Sequence, residues 1–211
     1  MKEEVAKIYM AEMLLALEDL HKRNIIFRDL KPENVVIDRE GHAKLTDFGL
    51  SKEGITDETL TRTVCGSKFY LAPEIISKEA HDKSLDWYLF GVMTYEVLVG
   101  TPPYYSKNRL QFLKNVKEGS LEPPKTMSNE AKDLITRLLN RNPSNRLKPK
   151  DIKRHPWFND IDWDIALRRE LNPPKPIIKP IEQEVLDIFP DNEKGYDKVR
   201  NWTYVKPNTN C

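Results

Sequence analysis

The chain has 211 residues, and its 34 lysines and arginines against 33 aspartates and glutamates leave a formal net charge of +1. That balance carries neither the basic footprint of a nucleic-acid binder nor an acidic tail, and no apolar run approaches the roughly 18 residues of a membrane span. With 39% hydrophobic and 32% charged residues, the composition is that of a folded globular protein, not a disordered one. The two cysteines, Cys65 and Cys211, and the four histidines give neither a disulfide framework nor a zinc spacing. No signal-peptide pattern opens the sequence, so the expected compartment is the cytoplasm, or the nucleus.

Residues 1–23 predict an amphipathic helix, with Val5, Ile8, Tyr9, Met13, Ala16, Leu17 and Leu20 recurring at three- and four-residue steps. No capping signal precedes it, so the helix reads as though more chain came before. Next come the apolar runs 24–27 and 35–37, a turn at 38–41 and Ala43-Lys44-Leu45, a hairpin pattern beside a polar loop. Residues 51–72 show no period and read as a long loop. Residues 84–99 are apolar almost all round, which predicts a buried helix with Ser84 as N-cap and Gly100 as its stop.

Shorter helices are predicted near 107–118, 128–140 and 149–155. Ser128 faces Ala131 where a capping box would place Glu, although Glu130 suits the first turn. Four prolines in 172–182 predict an extended tether. The last thirty residues are polar with isolated aromatics, Phe189, Tyr196, Trp202 and Tyr204.

Three segments carry chemistry: Phe27-Arg28-Asp29-Leu30-Lys31-Pro32-Glu33-Asn34, Asp47-Phe48-Gly49 and Ala72-Pro73-Glu74. Their order and spacing match the catalytic loop and flanking motifs of protein kinases, with Phe27 in place of the usual His or Tyr. Residues 1–158 resemble the C-terminal lobe of a eukaryotic protein kinase. Cys65-Gly66 ahead of Tyr70-Leu71-Ala72-Pro73-Glu74, with Asp86-Trp87 and Gly100-Thr101-Pro102-Pro103-Tyr104, narrows the resemblance to the AGC group, which includes protein kinases A, B and C. The fold it implies is α+β and mostly helical, a kinase-like lobe with short β-hairpins and an extended tail. Residues 159–211 then correspond to the AGC extension.

The implied activity is ATP- and Mg²⁺-dependent phosphorylation of Ser or Thr in proteins. Phosphoryl transfer needs positioning and charge neutralisation more than covalent chemistry. Asp29 would take the proton of the substrate hydroxyl, and Lys31 would steady the γ-phosphate. Asn34 and Asp47 offer hard oxygens for Mg²⁺. The family places a phosphorylated threonine at Thr63, the target of an upstream activating kinase, with Arg28 and Lys52 as its cationic partners. Ser67 keeps the hydroxyl of the peptide-binding step, while Lys68-Phe69 departs from the family's Pro-Glu.

Glu33 and Glu96 match the acidic positions that read a basic residue upstream of the phosphosite. The alternative for Glu96 is a pairing inside the lobe. Glu74 and Arg146 match a buried ion pair, and Asp86 matches the residue that braces the catalytic loop, all three structural. Cys65 reads as packing, and His21, His42, His81 and His155 as structural or solvated. Val199-Arg200-Asn201-Trp202-Thr203-Tyr204 looks like the AGC hydrophobic motif, with Thr203 as its phosphosite. No Gly-rich loop or strand lysine precedes residue 1, so this polypeptide alone is expected to be weakly active or inactive. A competing reading is a non-catalytic half-kinase module that competes for substrates or for an upstream kinase.

Overall fold

A computed structural model describes residues 1–56, 59–61 and 67–176. Thr63, Cys65, Thr203 and the tail aromatics lie outside the described residues.

The first helix, α1, spans Glu3–Lys22, with Glu3 and Glu4 in its first turn and His21 and Lys22 in its last. That charge order suits the helix dipole. Its buried residues are Ala6, Met10, Ala11, Glu12, Met13, Leu14, Leu17 and His21. The deep stripe is therefore rotated from the expected one, sharing only Met13 and Leu17 with it. The cause is tertiary, because α1 packs on a long central helix on one side and on the hairpin on another. A helix with two neighbours buries a wider arc than one apolar stripe can indicate.

A single hairpin, β1 (Val35–Ile37) and β2 (Ala43–Leu45), pairs Val35 with Leu45, Val36 with Lys44 and Ile37 with Ala43. Asp38 Oδ1 closes its turn by accepting from the Glu40 and His42 amides, both at 3.0 Å. Buried Glu12 joins the hairpin to α1 through His42 Nδ1 (2.5 Å) and the Ala43 amide (2.7 Å). The several short hairpins expected reduce to this one among the described residues, with two single-pair bridges, Ile26–Lys52 and Thr61–His81. The apolar run at 24–27 cannot extend a ladder. Asn24 (φ 59°) and Arg28 (φ 70°), both left-handed, bound it at each end.

After the short α2 (Pro73–Ile76) comes the central helix α3, Ser84–Val99, buried without interruption from Leu85 to Tyr95. Gly100 ends it in the left-handed conformation at φ 91°, its amide on Glu96 O at 2.7 Å. Ser84 is not the N-cap. Lys83 ahead of it is already helical, so Asp82 does that work, accepting from the Ser84 amide at 2.8 Å.

Helices α4 (Arg109–Glu118) and α5 (Asn129–Leu138) begin on side-chain caps from Asn108 and Ser128. The box missing at Ala131 is completed from 125 residues away. Glu3 accepts from the Ser128 amide (2.8 Å) and hydroxyl (2.7 Å), and from Trp157 Nε1 (3.0 Å). Where α3 crosses α5, Gly91 permits the approach, since a β-carbon there would stand 2.8 Å from Leu138 Cβ. Two short helices follow, α6 (Pro149–Lys153) and α7 (Trp163–Leu167). The second is too short for periodicity to reveal. Among the described residues no helix is long and apolar enough to cross a membrane.

Candidate active site

The loop that enters the site is fixed from below by Asp86, which is 0% exposed at the start of α3. Its carboxylate accepts from the Phe27 amide (2.8 Å) and the Arg28 amide (2.8 Å), and pairs with His21 Nε2 (2.7 Å). A buried carboxylate is tolerated only when so engaged. Here the engagement holds the left-handed turn at Arg28 that delivers Asp29. Phe27 is fully buried and stacks edge-on against Phe48 at 5.3 Å.

Asp29, Lys31, Asn34 and Ser67 meet. Lys31 Nζ donates to Asp29 Oδ2 and to Ser67 Oγ, both at 2.6 Å, and Ser67 Oγ donates to Asp29 Oδ1 at 2.9 Å. Asn34 Nδ2 donates to the Asp29 carbonyl (2.8 Å) and to Oδ2 (2.9 Å). Proximity in sequence accounts for three of the four. Ser67 arrives from 38 residues away.

The Thr46 amide bonds the Asn34 carbonyl at 2.9 Å, which brings Asp47 beside Asn34. Asp47 is exposed and left-handed (φ 58°), and its Oδ1 accepts only the Gly49 amide, at 3.1 Å. With the Asn34 amide nitrogen committed to Asp29, its Oδ1 is left as a hard oxygen next to a hard carboxylate. Among the described residues no three His, Cys, Asp or Glu side chains could hold a metal by themselves. A two-oxygen set fits Mg²⁺, which keeps waters and takes other ligands from phosphates.

Beside this set runs a groove of about 410 Å³, floored by Ser67, Phe69 and Tyr70 and flanked by Glu33 and Glu96. The Tyr70 hydroxyl donates to Glu96 Oε2. Burial, that bond and the charges of Glu96 and Glu33 push the Tyr70 hydroxyl far above its ordinary range, so it stays a donor. Lys68 and Phe69 anchor the groove wall. Phe69 packs on Phe112 (5.3 Å) and Tyr105 (5.1 Å), with Lys68 Nζ 4.9 Å from its centroid. Sequence reasoning gave Tyr70 no part in the groove, since only the fold sets it against Glu96. A larger cleft of about 720 Å³, between Lys22, Trp87 and Pro143, lies away from Asp29 and includes none of its partners.

Behind the loop, Arg28 Nε donates to the Leu50 carbonyl at 2.6 Å, and Lys52 Nζ donates to Thr61 Oγ1 at 2.8 Å. Buried Glu74 and Arg146 form a two-pronged pair, both bonds at 2.7 Å, with the guanidinium 4.8 Å from the Tyr88 centroid.

An aspartate bonded by a lysine, an asparagine and a serine, beside a groove lined by Glu33 and Glu96 on a helix-rich fold, is the arrangement of the protein kinase class. The protein kinase domain family matches residues 1–158, and the chain belongs to that family, whose members use ATP and Mg²⁺ and act on proteins. It is 46% identical over 192 residues to human ribosomal protein S6 kinase alpha-3, covering 89% of this chain and 26% of that protein. It is 45% identical over 182 residues to ribosomal protein S6 kinase 2 alpha of Xenopus laevis, covering 83% and 25%. Against serine/threonine-protein kinase sck2 of Schizosaccharomyces pombe it is 46% identical over 192 residues, covering 88% and 29%. These likenesses place it in the AGC group of serine/threonine protein kinases. The chain spans about a quarter of the length of these relatives.

Proposed function

We propose that residues 1–158 are the C-terminal lobe of a kinase that phosphorylates Ser or Thr in proteins with a basic residue upstream, and that 159–211 are its AGC extension. The observation that carries this is the closed Asp29–Lys31–Ser67 network, which holds a carboxylate, an ammonium and a hydroxyl within 2.9 Å of one another. When bound, Mg·ATP supplies the transferable phosphoryl group and neutralises its charge. Asn34 Oδ1 and the Asp47 carboxylate would hold the ion. Asp29 accepts the proton of the substrate hydroxyl, which takes the place now filled by the Ser67 hydroxyl. Lys31, already bonded to Asp29, places its charge where the transferred phosphate carries its own. Glu33 and Glu96 bind the substrate's arginine or lysine. Arg28 and Lys52 hold a phosphate added at Thr63 by an upstream kinase, and Thr203 is a second regulatory site.

The test is phosphorylation of a serine peptide with upstream arginine by the native protein. Asp29→Asn is expected to lower kcat by about 10²- to 10⁴-fold with little change in Tm. An Asp29→Asn protein with wild-type kcat overturns the reading. Glu33→Gln with Glu96→Gln is expected to raise KM for that peptide by about tenfold at unchanged kcat, and to leave KM alone for a peptide lacking arginine. Equal KM changes for both peptides would remove the basic specificity.

A further inference from the structure

Buried polar atoms nearly always find a partner, and one that does not calls for an explanation. Among the described residues, four buried side-chain atoms have none: Arg28 Nη1, both ring nitrogens of His81, and Ser84 Oγ. Arg28 and His81 belong together. His81 is 3% exposed and Arg28 7%, and the Arg28 charge bears on the His81 ring. The His81 backbone pairs with Thr61 through two bonds of 2.9 Å, and the Thr61 hydroxyl accepts from Lys52 at 2.8 Å. The Ile26–Lys52 bridge, the Lys52–Thr61 bond and the Thr61–His81 bridge therefore link the Arg28 turn to His81, and Arg28 and His81 both end in idle buried nitrogens.

Among the described residues no free acid answers them. The charged groups facing the ring are Arg28, Glu74 and Asp82, with the Glu79 carbonyl outside hydrogen-bonding geometry. Glu74 is held on both oxygens by Arg146, and Asp82 caps α3. A buried guanidinium with an idle N–H carries a desolvation penalty that an arriving anion would relieve.

We infer that Arg28 and His81 together bind a tetrahedral oxyanion of the phosphate-monoester type, and that His81 takes up a proton as the anion enters. This rests on the reading of Arg28 and Lys52 as cationic partners of a phosphate, and adds to it a third ligand and a proton linkage. Burial first, and the Arg28 charge with it, hold the His81 ring below the ordinary histidine range. Without an anion the ring is neutral at neutral pH, because a second positive charge beside Arg28 is opposed. A dianion reverses that sign, and its oxygens require the N–H that a protonated ring presents. The anion has two possible sources, free phosphate and a phosphorylated side chain of the protein. Thr63 is two residues along the chain from Thr61.

Sulfate is the probe, because its charge does not change over the range where histidine titrates, about pH 5.5 to about pH 8. Calorimetry on the full chain is expected to show sulfate binding that weakens by about tenfold per pH unit above the His81 pKa, with one proton taken up per anion. His81→Gln is expected to bind more weakly with a flat pH profile. Unchanged affinity and pH profile in His81→Gln overturn this proposal while the Arg28–Lys52 reading stands. No sulfate binding at any pH overturns both. Should His81→Gln fail to fold, the wild-type ring carbons decide by NMR. Their resonances move to the protonated position on adding sulfate, and a ring that stays neutral with sulfate bound overturns the proposal. Protein phosphorylated at Thr63 separates the sources. A protonated His81 that no longer takes sulfate identifies the protein's own phosphate, and continued sulfate binding identifies a free anion.

Discussion

The helical frame of α1, α2, α3 and α5, together with Arg146, and the polar crest at residues 27–52 and 67–70 use charge in opposite ways. In the frame the buried charges among the described residues are answered. Glu74 and Arg146 meet on two prongs, Asp86 engages three donors, and Glu12 and Glu3 each tie two elements together. In the crest, charge is held but not exhausted. Asp47 accepts one amide and is exposed, Asn34 commits only its side-chain nitrogen and leaves its side-chain Oδ1 available, and Arg28 leaves a buried nitrogen idle. A fully paired group fixes a backbone. A partly paired one is available to a ligand, and the crest can remain so only because the frame beneath it is rigid.

The contrast breaks most visibly at Glu74. Glu74→Gln leaves Arg146 buried without its counter-charge, and urea unfolding should register a loss of about 3–5 kcal/mol. Glu74→Leu with Arg146→Met should recover most of it. If the single change costs under about 1 kcal/mol, the pair is not the buried clamp described. Next in size is Gly91→Ala. Helix propensity by itself favours alanine by about 1 kcal/mol, yet the new methyl meets Leu138 Cβ at 2.8 Å. A net loss of about 1–3 kcal/mol is expected, read as a fall in Tm, and a gain would mean that α3 and α5 pack less closely.

The smallest effect is at Glu3 and depends on pH. Burial opposes its charge, but the Ser128 and Trp157 bonds prevail and hold its carboxyl below the usual range. A carboxyl whose folded value is depressed contributes stability that is complete above its unfolded value and is lost as pH falls through the folded one. Glu3→Gln should therefore cost about 0.5–1.5 kcal/mol at neutral pH, with the difference from wild type shrinking on acidification. A pH-independent difference would locate the effect in packing alone.

Much of the crest was legible because its chemistry is local. Asp29, Lys31 and Asn34 lie within six residues, and the three motifs stand in order. The buried helix 84–99 was legible from its unbroken apolarity, and its stop from Gly100, which alone tolerates φ 91° without strain. What escaped had no local signal. His81 is a solitary histidine, and Tyr70 is a tyrosine ahead of Leu71-Ala72-Pro73-Glu74. The Ser84 cap failed because the helical turn had already begun at Lys83.

By itself, then, the sequence determined the kinase motifs and the helical content, since side-chain chemistry and short-range spacing suffice for these. Tertiary structure alone decided which face of α1 is buried, that Glu3 completes the cap of α5, and that Ser67 closes the network on Asp29. It also decided that His81 pairs with Thr61. Each is a contact between residues tens of positions apart, and a hydrogen bond or a packing contact is set by distance in space, of which separation along the chain gives no measure.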